Sequence, residues 1–321
     1  MMRHFIFFPP EASEYARHID WIYLGLVGLS AIIVGLVVAL MVSFGIRYRR
    51  GSPAKRGRLP EWVSRDVEIG WTVATLFAFV FIFWFAAATF ITSIGAAPRA
   101  LEIHVVGKQW MWKIEHPNGV REINELHVPM NVPVRLVMIS QDVIHSFFLP
   151  ALRIKQDVLP GRYTSESFTA DKAGTYNLFC AEYCGTDHAK MGGRIVIMTK
   201  PDYQKWIDAQ PGAQNLAEKG RQLFTRLGCA GCHFEKGHTR APDLAGVYGS
   251  YVRLADGRTV RADEAYLRDS ILQPARDIVA GYTPIMPSFK STVSEDQIFD
   301  LVAFIKSYSG GSYSHDGEAT Q

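Results

Sequence analysis

Residues 179 to 193 read FCAEYCGTDHAKMGG, a loop in which Cys184 follows Cys180 by four residues, His188 follows by four more and Met191 by three. Thiolates and imidazoles are soft or borderline ligands suited to copper or zinc, and a methionine thioether tips the choice towards copper. Both sulfurs of such a loop could bridge two metals, with His188 and Met191 ligating beside them; a single metal would leave a thiolate over. A symmetric pair needs a second imidazole, and DVIHSFFLP offers His145, flanked by apolar residues that would exclude water. Alone, a histidine in such a place is more often a satisfied core residue. The combination is far more specific.

A second constellation lies in LFTRLGCAGCHFEKG, where Cys229, Cys232 and His233 form C-x-x-C-H. That spacing allows two thioether bonds to haem and sets an axial imidazole beside them. The only methionine after Met198 is Met286, in GYTPIMPSF, which makes it the expected sixth ligand. His238 competes, but it stands five residues after His233, too near to cross to the opposite haem face. Methionine opposite histidine raises the reduction potential. All four cysteines of the chain fall in these two motifs, and such short loops would gain little from a disulfide.

The elements that must position these residues differ along the chain. Residues 21–46 and 70–96 carry no charge, and each exceeds the roughly 20 residues needed to cross a bilayer. The first is too long for a signal peptide, starts late and ends in Arg47. Between them Arg47, Arg49, Arg50, Lys55, Arg56, Arg58 and Arg65 are opposed only by Glu61, Asp66 and Glu68, which assigns this loop to the cytoplasm and both termini to the outer face.

From Leu101 to Met198, short β-branched and aromatic segments alternate with turn residues, as in an all-β sandwich or barrel. Trp110 and Trp112 then share one strand face. Residues 199–215 read as a short helix and linker, and from Leu216 the apolar spacing becomes helical. The predicted domains are residues 1–97 with the two spans, 98–200, a linker 201–215, 216–310, and a Gly/Ser-rich tail 311–321 expected to be disordered. The 321-residue chain has a formal charge of +3, which points to no nucleic acid.

Together CAEYCGTDHAKM, DVIHSFFLP, LRIKQDVLPGR and GKQWMWKIEHPNG resemble subunit II of cytochrome c oxidase, from the first apolar helix to about Met198. RAPDLAGVYG, PIMPSF and DLVAFIKSY are similar to the bacterial class I cytochrome c fold, with Pro242 beside the proximal histidine. The resemblance implies a multidomain membrane protein: a two-helix transmembrane hairpin, a cupredoxin-like copper domain and an all-α cytochrome c domain.

It further implies that Cys180 and Cys184 bridge a dinuclear mixed-valence copper centre, that His145 and His188 ligate one copper each, and that Met191 and the Glu182 carbonyl complete the set. The Glu182 carboxylate would reach a magnesium ion at the subunit I interface, in keeping with the hard cation's preference for oxygen. Trp110 would be the electron-entry residue. Glu68 would guard a proton pathway into subunit I, although the proline usual in this helix is absent, with Thr75 near its place.

The implied function is electron input to a bacterial proton-pumping oxidase, from an external donor (cytochrome c or a quinol-oxidising complex) through haem c and copper to subunit I, with subunit III and membrane lipid as further partners. This chain would relay electrons and not itself reduce oxygen. The alternative is a membrane-anchored copper and haem electron carrier, or an assembly protein for another reductase. Glu68 and LRIKQDVLPGR make better sense at a subunit I interface. A copper-free quinol oxidase homologue is excluded by the complete ligand set, and the fused haem domain disfavours a mitochondrial form.

Overall fold

The computed structural model describes residues 8–54, 57, 60–94, 100–210, 216–234 and 240–308. His238, residues 211–215 of the linker, the tail from 311 and Lys55, Arg56 and Arg58 lie outside them. By its internal contacts the chain forms two units, 1–97 with 151–153, and 98–150 with 154–321.

In the first unit, apolar sequence without Pro or charge makes two long helices, α1 (Glu14–Arg47) and α2 (Glu61–Ile94). Both run past the uncharged stretches, because polar turns continue them at their starts; Ser13 caps α1 by accepting from the Ala16 N–H at 3.0 Å. Both are long and apolar enough to span a membrane, and the most apolar stretch of each is wholly unburied by protein. Side chains such as Phe77 and Phe83 stand more than 70% exposed, which water would penalise and hydrocarbon would not. Glu68 lies exposed on α2.

The second unit begins as a sandwich of two five-stranded sheets. Its strands are β1 (Leu101–Lys108), β2 (Met111–Glu115), β3 (Arg121–Ile123), β4 (Glu125–Pro129), β5 (Pro133–Ser140), β6 (His145–Leu149), β7 (Ile154–Val158), β8 (Thr164–Thr169), β9 (Gly174–Cys180) and β10 (Gly192–Met198). One sheet runs β3-β2-β1-β5-β8 and the other β4-β10-β9-β6-β7, with β1–β5 and β4–β10 parallel. Ile103, Val105, Ile195 and Ile197 fill the inter-sheet core. Trp112 is fully buried in β2 against Phe147, whereas Trp110 falls in the turn between β1 and β2. The two tryptophans therefore do not share a strand face: the strand breaks at the turn, and alternation cannot be carried across it.

Short α3 (Lys200–Asp208), capped by Thr199, follows the sandwich. Tyr203 and Trp206 of α3 pack on His116 and His127, and both histidines bond Glu122. Next come α4 (Leu216–Arg226), α5 (Ala230–His233), a hairpin of β11 (Tyr251–Arg253) and β12 (Thr259–Arg261), α6 (Glu264–Leu272) and α7 (Glu295–Ser307). A Ser294/Gln297 capping box starts α7. Leu223, Phe224, Ile298, Leu301, Phe304 and Ile305 make the helical core. At the α4–α7 crossing a Cβ on Gly220 would overlap the Asp300 carbonyl, so glycine sets the close approach.

Every second residue of β1 would face solvent in a free sandwich. Instead His104 and Val106 are buried, because α7 lies over the outer face of their sheet. Phe299 enters a cluster with Val106, Val137 and Ile139 and stacks on His104 at 4.2 Å between ring centroids. Lys306 Nζ reaches Glu102 Oε1 and Glu264 Oε1, each at 3.0 Å. Arg268 joins Glu295 and donates to the Gly161 carbonyl at 3.2 Å. Phe299→Ala should cost about 3–5 kcal/mol, as for other large buried aromatics; chemical denaturation of the full chain, followed by haem-domain absorbance, checks it.

Candidate metal centre and haem pocket

The copper-type ligands converge from two loops of one sheet. β9 ends at Cys180, the loop to β10 carries Cys184, His188 and Met191, and neighbouring β6 begins at His145. The Cys180 and Cys184 sulfurs are 3.9 Å apart, far beyond a disulfide bond. Cys184 Sγ lies 3.4 Å from His188 Nδ1 and 3.7 Å from Met191 Sδ, and Cys180 Sγ lies 3.3 Å from the Glu182 carbonyl. Ligand atoms of His145, Cys180 and Cys184 fall within 4.8 Å of one another. All three residues are buried, while the Glu182 side chain is exposed.

His145 is fully buried, and its Nδ1 has no hydrogen-bond partner. Its Nε2 instead lies 2.8 Å from Asp142 Oδ1. A buried ring nitrogen left without a partner is costly, and this arrangement is the carboxylate–histidine pairing that orients metal ligands. Asp142 itself accepts from the Gln109 N–H at 2.8 Å, and Gln109 Nε2 donates to the Cys184 carbonyl at 2.8 Å. Burial favours a neutral Asp142, but these N–H groups and His145 hold it below the ordinary carboxylate range.

Burial opposes ionisation of both thiols. The His145 imidazole nevertheless brings Cys180 down, and the charge so placed on Cys180, together with burial, pushes Cys184 up. Two adjacent thiolates thus require a cation between them, which fits a metal-bridging role. Glycines allow the close packing. A Cβ on Gly107 would come within 3.0 Å of the His145 ring, and Gly185, at φ +119°, would meet Gln109 Nε2 at 2.9 Å.

Asp142 and Gln109 were not among the residues singled out from sequence, although D-x-x-H before a strand is the signal that could have marked Asp142. Trp110 is half-buried beside Gly185, with its indole N–H unpartnered. Asp142→Ala should weaken copper binding about 10–100-fold, the usual cost of losing such an outer partner; competitive chelator titration of the full chain would measure it.

The helical domain encloses an apolar cavity of about 560 Å³, lined by Cys229, Cys232, His233, Met286, Leu301 and Ile305 among others. α5 places Cys229, Cys232 and His233 on one turn of helix. His233 Nδ1 donates to the Pro242 carbonyl at 3.0 Å, leaving Nε2 as the free nitrogen. Burial holds this imidazole below its usual range despite that bond, so it is neutral and able to ligate. Met286 reaches the same cavity from the loop between α6 and α7. The donor set and the cavity fit a covalently held haem. The β11–β12 hairpin, foreshadowed only by an Asp-Gly turn in YVRLADGRTVR, contributes Tyr251, Val252 and Arg253 to the wall.

The family model for the cytochrome c oxidase subunit II periplasmic domain matches residues 115–199, and that for cytochrome c matches residues 217–309. Cytochrome c oxidase subunit 2 of Alkalihalophilus pseudofirmus is 29% identical over 90% of this chain and 87% of its own length. "Probable cytochrome c oxidase subunit 2" of Rickettsia conorii is 31% identical over 62% of this chain and 70% of its own. The crystal structure of the periplasmic domain of subunit II of cytochrome oxidase of Bradyrhizobium japonicum, 31% identical, covers 36% of this chain and 95% of that one, with a TM-score of 0.34. With a copper-type ligand set in its sandwich and a haem-type set in its helical domain, the chain belongs to the cytochrome c oxidase subunit 2 family, with a cytochrome c domain at its C-terminal side.

Proposed function

We propose that the chain is the electron-input subunit of a bacterial proton-pumping cytochrome c oxidase. Electrons from an external donor enter at the haem domain and leave through the copper domain to subunit I, where oxygen is reduced to water. The observation that carries this reading is the buried His145 Nδ1, unpartnered and grouped with the sulfurs of Cys180 and Cys184. When bound, the copper pair and the haem supply one-electron carriers. Cys180, Cys184, His145, His188, Met191 and the Glu182 carbonyl would hold the copper pair. Cys229 and Cys232 would anchor the haem covalently, and His233 and Met286 would hold its iron.

Ligand positions filled by protein leave no place for a substrate, and a rigid, buried site limits rearrangement on reduction. Oxygen chemistry therefore belongs to the partner. At that interface the exposed Glu182 carboxylate offers oxygen to magnesium, and Glu68 on α2 stands at the mouth of a proton path. Trp110, half-buried beside the copper loop, serves as an entry residue for electrons. Subunit III completes the complex in the plasma membrane, with the arginine-rich loop inside and both termini and both cofactor domains outside.

The test is the electron paramagnetic resonance spectrum of the full chain in detergent, haem-matured and copper-loaded. A signal delocalised over two copper nuclei beside a low-spin haem supports the reading. Mononuclear copper, or none, in a folded haem-bearing protein rejects it. Co-purification of a subunit I with oxygen uptake separates the oxidase from a free-standing carrier.

A further inference from the structure

Where α7 crosses β2 and β3, two carboxylates are buried side by side. Glu115 of β2 and Asp300 of α7 are each 5% exposed. Arg121 spends its fork on Glu115, Nε to Oε1 at 2.9 Å and Nη2 to Oε2 at 3.2 Å, leaving Asp300 Oδ2 a longer contact of 3.4 Å. Asp300 Oδ1 is buried with no hydrogen-bond partner at all. Lys219 of α4 forms no ion pair with it, since that ammonium goes to Glu115 Oε1 at 3.5 Å and the Gly119 carbonyl at 2.9 Å. Asp296, one turn earlier on α7, adds negative charge and is itself paired with Lys113 of β2 at 3.2 Å. The cations are thus claimed by other groups, and an ionised Asp300 would be buried with one weak partner beside a second carboxylate.

We propose that the contact between α7 and the outer sheet face is a proton-linked dock: the haem domain closes onto the copper sandwich with a proton held on Asp300, and its hold weakens as that proton is lost. The inference stands on the interface alone and is independent of where the haem domain sends electrons. In the docked state burial first, and then the Glu115 charge, push Asp300 up to about 7 from its ordinary 3.8, against the pull of Arg121 and Lys219. Release restores water to the carboxyl and moves it back towards the ordinary value.

Docking therefore takes up a proton between those limits. The hold is fullest in acid, falls by at most about tenfold per pH unit as pH rises towards 7, and levels off above it. The other ion pairs do not share this window in the same way: Lys306 and a hydrogen bond from His104 keep Glu102, despite its burial, at about 2. His104 also lies in this contact, stacked on Phe299 and 3.5 Å from Glu102. A pH profile alone would therefore not identify Asp300, and the substitution must do so.

The experiment places a reporter thiol under the dock, Val137→Cys, in the full haem-matured and copper-loaded chain, whose own cysteines are then engaged. The labelling rate by a maleimide, divided by that of a free thiol at the same pH, reads the released fraction. It should rise between pH 5 and pH 7, by up to about 100-fold, and then level. Asp300→Asn, which presents a neutral amide of the same shape, should flatten the rise. Glu115→Gln, which removes the neighbouring charge, should shrink it. A rate independent of pH in the parent, or a rise that survives Asp300→Asn undiminished, overturns the proposal.

Discussion

Cys184→Ser is expected to abolish the delocalised copper signal completely while leaving the haem spectrum unchanged. Cys184 is the centre of the ligand cluster: His188 Nδ1, Met191 Sδ and Cys180 Sγ all lie within 3.9 Å of its sulfur. A serine hydroxyl is a hard donor with too high a pKa to bridge two soft cations. What remains is at best a single-copper site built on Cys180 and one or two imidazoles. The haem would be untouched, because its thioether cysteines belong to α5 and its cavity to the helical domain. A delocalised signal that persists would mean that Cys184 is no bridge. Loss of the haem spectrum as well would mean that the two domains do not fold independently.

Met286→Ala should leave the haem covalently attached, since Cys229 and Cys232 are unaltered, and lower its reduction potential. Thioether opposite imidazole favours the reduced iron, and axial ligation tunes haem potentials across about 0.8 V in total. Replacing the thioether with water or a stronger nitrogen donor should cost on the order of 100 mV of that range. Potentiometric titration of the full chain reads the shift directly. An unchanged potential would remove Met286 from the iron.

Much of this architecture was legible before any coordinates. The uncharged runs read as α1 and α2 because nothing else in a chain tolerates so long an apolar stretch, and the ligand types in the 179–193 loop carry their own chemistry. Less legible were relations that depend on tertiary approach. Asp142 matters only because β6 turns His145 back over it, and Gln109 only because its turn lies under the copper loop. Trp110 was misplaced with Trp112 because a period-two reading has no way to see a turn inside KQWMW. Burial of His104 and the isolation of Asp300 could not be read at all, since both arise where residues nearly two hundred positions apart in sequence meet.

The covering of β1 by α7 also bears on how such a chain could be gained or trimmed. Val106, Val137, Ile139 and Phe299 are each at most 2% exposed, and three of the four belong to the sandwich. A protein cut off before Leu216 would bare that aliphatic strip on a sheet that has no other cover among the described residues, and would take Lys306 from Glu102 and Lys219 from Glu115. Contiguous apolar surface of this kind invites self-association. An ancestor that acquired or shed the haem domain would therefore have had to rewrite the outward side chains of β1 and β5 at the same time.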